Sequence, residues 1–102
     1  WGNHFEPSYC KMRDSRAGEP QPEPVGSYPV DESPYGVRDM AGGVAEWCHN
    51  WHDEMPALRV LRGGCWAFGA RHCRTASRTG AQPHSVASFQ GFRVVVDIPV
   101  DE

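Results

Sequence analysis

Eleven glycines and nine prolines punctuate a chain of 102 residues, and their placement limits what the chain can form. Glycine interrupts regular structure through its conformational freedom, proline through its missing N–H and fixed φ. They crowd into 18–36, where Gly18-Glu19-Pro20-Gln21-Pro22-Glu23-Pro24 runs into Val25-Gly26-Ser27-Tyr28-Pro29. Residues 1–36 carry no helical period, which predicts an extended loop rather than a helix. A loop this long is either functional or disordered. Trp1, Phe5, Tyr9, Tyr28 and Tyr35 favour an ordered one, because aromatic rings bring large apolar surfaces to bury.

Beyond the Gly42-Gly43 break, short runs read as strands. Residues 44–51, Val-Ala-Glu-Trp-Cys-His-Asn-Trp, are aromatic and bounded by turn residues. Residues 58–62 alternate apolar and basic side chains and stop at Gly63-Gly64, the pattern of a half-buried strand. A further strand is expected at 72–78, and a loop at 79–90, where small polar residues surround Pro83. Phe92-Arg93-Val94-Val95-Val96 has the strongest β-propensity in the chain and ends at Asp97 and Pro99. The expected class is α+β, rich in strand and loop, with a core too small to be stable without further chain.

Charge and cysteine usage narrow the function classes. Thirteen acidic and ten basic side chains leave no basic stripe for nucleic acid and no acidic tail for a basic partner. No apolar run approaches the roughly 20 residues of a membrane helix. The four cysteines, at 10, 48, 65 and 73, include no Cys-x-x-Cys pair, so a zinc ribbon and a thioredoxin-like motif are excluded. They allow three full disulfide pairings, among which the sequence does not choose. Cys48-His49-Asn50-Trp51-His52-Asp53 has metal-binding residue types. On a strand, however, Cys48 and His49 point to opposite faces.

Three blocks in order carry a family resemblance. They are Pro34-Tyr35-Gly36-Val37-Arg38-Asp39-Met40-Ala41-Gly42-Gly43-Val44-Ala45-Glu46-Trp47-Cys48, Arg59-Val60-Leu61-Arg62-Gly63-Gly64-Cys65-Trp66, and Cys73-Arg74-Thr75-Ala76-Ser77-Arg78 followed by Gly91-Phe92-Arg93-Val94-Val95. The chain resembles the C-terminal part of the formylglycine-generating-enzyme, or sulfatase-modifying-factor, domain, a relative of the C-type lectin fold. The resemblance covers 1–97, with Trp1-Gly2-Asn3 similar to the family's Pro-Trp-Gly segment. It implies that residues 1–102 are one portion of a single domain. A preceding portion of roughly 100 residues, of ordinary domain size, would then be a partner.

The physics of the blocks agrees with that fold. Gly63-Gly64 is expected to let backbone pass close beside a tryptophan. Arg62, Arg74, Arg78 and Arg93 are expected to tie carbonyl-rich loops together through their planar forks.

The resemblance also implies sites. Family oxidases hold copper on two cysteines, a donor set that suits soft Cu(I). The first would fall at Phe68, and Cys73 stands five residues beyond it, so the pair is incomplete. Cys65 and Cys73 are the remaining pair for a soft metal. Relatives of the ergothioneine-synthase type use an iron on histidines outside this segment. Family enzymes bind calcium at an Asp/Asn-Met-x-Gly-x-Val loop, which places Asp39, Met40, Gly42 and Val44 here as structural calcium ligands.

One branch of the family displays a hypervariable face written by diversity-generating retroelements. The corresponding positions here mix aromatic, small and polar types. Trp66, Phe68, His72, Ser77, Thr79, His84, Ser85 and Phe89 are therefore the expected ligand-binding residues, on loops 65–72 and 77–90. Three functions follow as expectations: a non-catalytic module binding a protein or other surface ligand, a metal-dependent oxidase, or a regulatory appendage on a kinase or protease.

Overall fold

In the computed structural model, residues 1–99 are described. Four short strands form one mixed sheet in the order β3-β2-β1-β4. They are β1 (Ala45–Trp51), β2 (Arg59–Arg62), β3 (Thr79–Ala81) and β4 (Gln90–Gly91), with a 3-10 helix at Ala70–Cys73 between β2 and β3. Loop occupies the rest of the described residues. The class is the expected loop-rich, β-rich one, with the 3-10 turn as its sole helix among the described residues.

β1 and β2 form an antiparallel hairpin that pairs Glu46 with Arg62, Trp47 with Leu61 and Trp51 with Arg59. The register shifts between Trp47 and Trp51, where β1 carries two more residues than β2 between the paired positions, an irregularity of the bulge kind. The Arg59 guanidinium lies 3.9 Å from the centroid of the Trp51 ring, a cation–π contact that holds the end of the hairpin. β3 pairs antiparallel with β2, from Leu61 opposite Thr79 to Arg59 opposite Ala81. β4 runs parallel to β1, pairing Ala45 with Gln90 and Glu46 with Gly91.

Three expectations fail at the strands. The strand expected at 72–78 is replaced by the 3-10 helix and a turn in which Ser77 N donates to Arg74 O at 3.0 Å. The strand sits instead at Thr79–Ala81, inside the stretch read as loop. Gly80 makes this possible, because a Cβ there would come within 2.9 Å of the Leu58 side chain. The run 92–96 forms no strand at all. β4 ends at Gly91, and Phe92, Val94, Val95, Val96 and Ile98 are all more than three-quarters exposed. Propensity measures fit to a half-buried pleated surface, and no neighbouring strand here supplies one.

Residues 1–40 are ordered by ties rather than by regular structure. Arg13 N donates to Phe68 O at 2.8 Å and Gly43 N to Lys11 O at 2.7 Å. Buried Lys11 pairs with Glu23 at 3.0 Å, and Tyr28 Oη donates to the same carboxylate at 2.5 Å. Trp1, Phe5 and Tyr9 pack ring against ring, with Trp1 and Phe5 centroids 5.4 Å apart. Tyr35 takes no part and is exposed.

Arg93 behaves as expected, its fork donating to the carbonyls of Arg38 and Asp39 at 2.9 and 2.7 Å. Arg62 likewise donates to Thr75 O at 3.1 Å. Arg78 instead meets the Asp53 carboxylate at 2.7 Å.

The core is divided. Cys10, Met12 and Cys73 form one buried cluster with Phe5, Ala41 and Ala70 against it. Ala45, Leu61 and Cys65 form a second, flanked by Trp47, Phe68 and Phe89 among others. The double glycine lies between them, but not for the reason expected. A Cβ on Gly63 would sit 2.7 Å from Met40 O. One on Gly64 would sit 2.9 Å from Cys73 Sγ and 3.0 Å from the His72 carbonyl. The close neighbours are thus Met40 and the 3-10 helix rather than Trp66.

Candidate functional site

The loop between β2 and the 3-10 helix brings Cys65 into the core and then turns outward. Phe68 N donates to Cys65 O at 3.3 Å, which aims the Phe68 ring back across the sheet. The 3-10 helix follows, with His72 N bonded to Gly69 O at 3.2 Å. At three residues per turn, successive side chains diverge by about a third of a turn. His72 therefore faces Phe68, at 4.9 Å between centroids, while its neighbours Arg71 and Cys73 face elsewhere. On the far side, Ala45 N donates to Phe89 O at 2.7 Å and fixes that residue over the sheet edge. The Phe68 and Phe89 rings lie 5.2 Å apart and 46° to each other, within the range of favourable aromatic pairs.

These rings line a cavity of about 530 Å³ floored by Ala45 and Leu61 and walled by Thr79, Ser85, Gln82 and Gln90. That volume falls within the range of small-ligand sites. No acidic side chain, lysine or arginine lines it among the described residues. Ser85 Oγ donates to Gln90 Oε1 at 3.3 Å, so hydroxyl and amide groups gather on one wall.

The structure thus brings together five of the expected residues: Phe68, His72, Thr79, Ser85 and Phe89. Ser77 lines a small recess beside them. Trp66 is placed differently. Its Nε1 donates to Ser88 O at 3.2 Å, tying the two loops together rather than lining the cavity. His84 is exposed and outside the cavity. Gln82 and Gln90 were not legible as site residues, since nothing in a lone glutamine marks it. Phe68 and Phe89 are half-buried and packed on the Ala45, Leu61 and Cys65 cluster, so they serve the core as well as the cavity.

The candidate metal positions lie apart from this cavity. Asp39 adopts a left-handed φ of 57°, and its Oδ2 accepts from Gly26 N at 2.8 Å. Buried Asp31 caps the next turn by accepting from Ala41 N, and burial pushes its carboxyl up to about 6. Gly42 passes against Lys11 so closely that a Cβ would enter the Lys11 carbonyl, and Val44 is exposed. The loop supplies the hard oxygens that calcium needs. The Arg93 fork already sets a cation against the carbonyls of Arg38 and Asp39. An ion here would therefore use the Asp39 carboxylate and carbonyls further along the loop.

Cys65 and Cys73 fall in different core clusters. Phe68, where the resemblance would put the first copper thiolate, is packed between His72 and Phe89 with its ring tilted to both.

Comparison with known proteins identifies the fold and the family. The serine/threonine-protein kinase pkn1 of Chlamydia caviae is 41% identical over 87 residues, which is 69% of this chain and 14% of the kinase. The hercynine oxygenase of Mycolicibacterium smegmatis is 31% identical over 99 residues, which is 76% of this chain and 23% of that enzyme. This chain therefore spans less than a quarter of either relative. Among solved structures, Treponema denticola variable protein 1 superposes with a TM-score of 0.68 at 30% identity, over 83% of this chain and 34% of its own. The model of the sulfatase-modifying factor enzyme 1-like domain matches residues 1–98. That span takes in every strand and both loops around the cavity, and the chain belongs to the sulfatase-modifying factor enzyme 1-like domain family.

Proposed function

We propose that this chain is the ligand-binding part of a non-catalytic family member, presenting loops 65–72 and 77–90 to a protein surface. The observation that carries the proposal is the uncharged cavity between Phe68, His72 and Phe89. Aromatic anchors in a desolvated pocket dominate binding energy at interfaces, and binding residues concentrate on loops held by a rigid scaffold. The glutamine and serine wall suits a neutral ligand segment with an apolar anchor and an adjacent amide. A neighbour called a variable protein supports a diversified face. A reverse-transcriptase gene beside a near-repeat of the DNA for 65–93 would establish the retroelement origin.

Selection of random peptides on the immobilised protein tests the binding reading. Selected peptides should carry an aromatic or branched aliphatic anchor and lose most of their affinity for the Phe89→Ala variant. Binders indifferent to Phe68 and Phe89 would overturn it.

The second reading, a metal-dependent oxidase, is supported by the oxygenase relative. It requires stoichiometric copper or iron and oxygen consumption. For copper on the remaining cysteines, Cys65→Ser or Cys73→Ser should abolish both. A third, a module appended to a kinase, is supported by the kinase relative.

Calcium at Asp39, Met40, Gly42 and Val44 is a separate proposal. It rests on the oxygen-rich, glycine-bearing loop that Asp39 opens. Calcium should then raise the melting temperature, and Asp39→Ala should remove the rise.

A further inference from the structure

The Cys10–Cys73 pair plays no part in the aromatic cavity. Cys10 is fully buried and Cys73 nearly so, packed with Met12 in one cluster. Cys48 is out on β1, its Sγ directed at the Glu46 carbonyl at 3.7 Å, and Cys65 belongs to the other cluster. Of the four cysteines, the fold thus brings Cys10 and Cys73 together in one cluster.

The two thiols are not equivalent. Cys73 lines a second cavity, of about 590 Å³, whose walls include Trp1, Phe5, Arg71 and Arg74. Cys10 does not line it. Behind Cys73 stands Gly64, where a Cβ would come within 2.9 Å of Sγ, so the sulfur is seated against backbone. Contact between the two lowers the Cys73 thiol from its ordinary value, whereas the same contact and burial push the Cys10 thiol up. A thiol on a cavity wall with a second, fully buried thiol packed against it is the arrangement of an attacking and a resolving cysteine. The two arginines give the cavity a positive rim suited to a carboxylate-bearing ligand, and the Trp1 and Phe5 rings give it an apolar wall.

We propose that Cys73 and Cys10 form a thiol–disulfide exchange site whose substrate is a small, carboxylate-bearing disulfide. The Cys73 thiolate attacks one sulfur, forming a mixed disulfide and releasing a first small thiolate, which takes up a proton. Cys10 then gives up its proton and attacks Cys73 Sγ. A Cys10–Cys73 bridge forms, and the second small thiolate leaves and is protonated. Two protein thiols are oxidised as one small disulfide is reduced to two thiols. The bridge ties the N-terminal loop to the 3-10 helix that also holds His72, and so links the two cavities covalently.

Oxidised glutathione is the probe. The folded protein is incubated with it, acid-quenched, alkylated and mapped by mass spectrometry, with no substitution needed. The expected product is a Cys10–Cys73 cross-linked peptide, with Cys48 and Cys65 alkylated. In Cys10→Ser the reaction should stop at one glutathione on Cys73. In Cys73→Ser, Cys10 should stay free in the native protein and react only after denaturation. Full alkylation of Cys10 and Cys73 in the native wild type, or adducts confined to Cys48 or Cys65, would overturn the proposal. Arg71→Ala with Arg74→Ala should slow mixed-disulfide formation severalfold with glutathione but not with neutral hydroxyethyl disulfide. Equal slowing with both would overturn the role of the arginines.

Discussion

The 3-10 helix at Ala70–Cys73 stands between two cavities of similar size and opposite chemistry. On one side His72 joins Phe68 and Phe89 around about 530 Å³ with no charged wall among the described residues. On the other, Arg71, Cys73 and Arg74 join Trp1 and Phe5 around about 590 Å³ with two cations and a thiol. Four consecutive residues serve both, because a 3-10 turn directs neighbours to different sides. The aromatic side is built from the sheet and its loops. The thiol side leans on the N-terminal loop, which has no strand of its own and is held by Lys11, Glu23 and Tyr28. Shape and size alone therefore do not distinguish a ligand site from a reactive one here. What differs is which scaffold carries the wall, and that difference can be broken experimentally.

The largest effect is expected where the two sides share backbone. Gly42 has a φ of +66°, and a Cβ there would enter the Lys11 carbonyl. Strain in the left-handed region adds to the clash, so Gly42→Ala should cost about 3–5 kcal/mol. Urea unfolding should show the midpoint collapse, and both cavities should be lost together. A variant of wild-type stability would mean that the Lys11 contact is not close.

Acid should separate the sides. Tyr28, Lys11 and Arg16 around Glu23 hold its carboxyl down at about 2, against an ordinary value of 4.5. A depressed carboxylate contributes stability that is full above pH 4.5 and is lost as pH falls towards 2. With solvent screening, the contribution is about 1–2 kcal/mol. Glu23→Gln should remove that part of the acid dependence and expose the Trp1 side to hydrogen exchange, leaving Phe68 and Phe89 protected. Phe68→Ala should do the converse. A half-buried phenylalanine on the core should cost about 2 kcal/mol when truncated, less than the full range for buried rings. The smallest effect is expected from Arg71→Ala, an exposed side chain, at under about 0.5 kcal/mol. Its consequence should appear in the thiol chemistry and not in the melting curve.

The sequence made the hairpin legible, because Trp47, Trp51 and Val60 have β-propensity and the glycine pairs bound the strands. It pointed to five of the residues that line the aromatic cavity too, through the family resemblance rather than through any period. It misled at 92–96, where propensity was high but no paired neighbour was present. It misled again at 72–78, where the backbone preferred a turn that Gly64 leaves room for. The Cys10–Cys73 pairing was not legible at all. The two residues are far apart in the chain, and backbone ties from Arg13 to Phe68 and from Lys11 to Gly42 and Gly43 bring them together. Phe68 and Phe89 were legible as loop residues but not as core ones. Both rings pack on the core, so their removal tests binding and folding together.

The central claim is that the Phe68–His72–Phe89 cavity is where this module binds. Amide chemical-shift mapping during titration with N-benzylacetamide, a neutral aromatic amide, tests it most directly. The expected shifts are confined to 65–72 and 79–90 and vanish in Phe89→Ala, while Cys10→Ser leaves them intact. Shifts centred on Trp1, Arg74 and Thr75, or none in 65–72 and 79–90 at saturating probe, would contradict it.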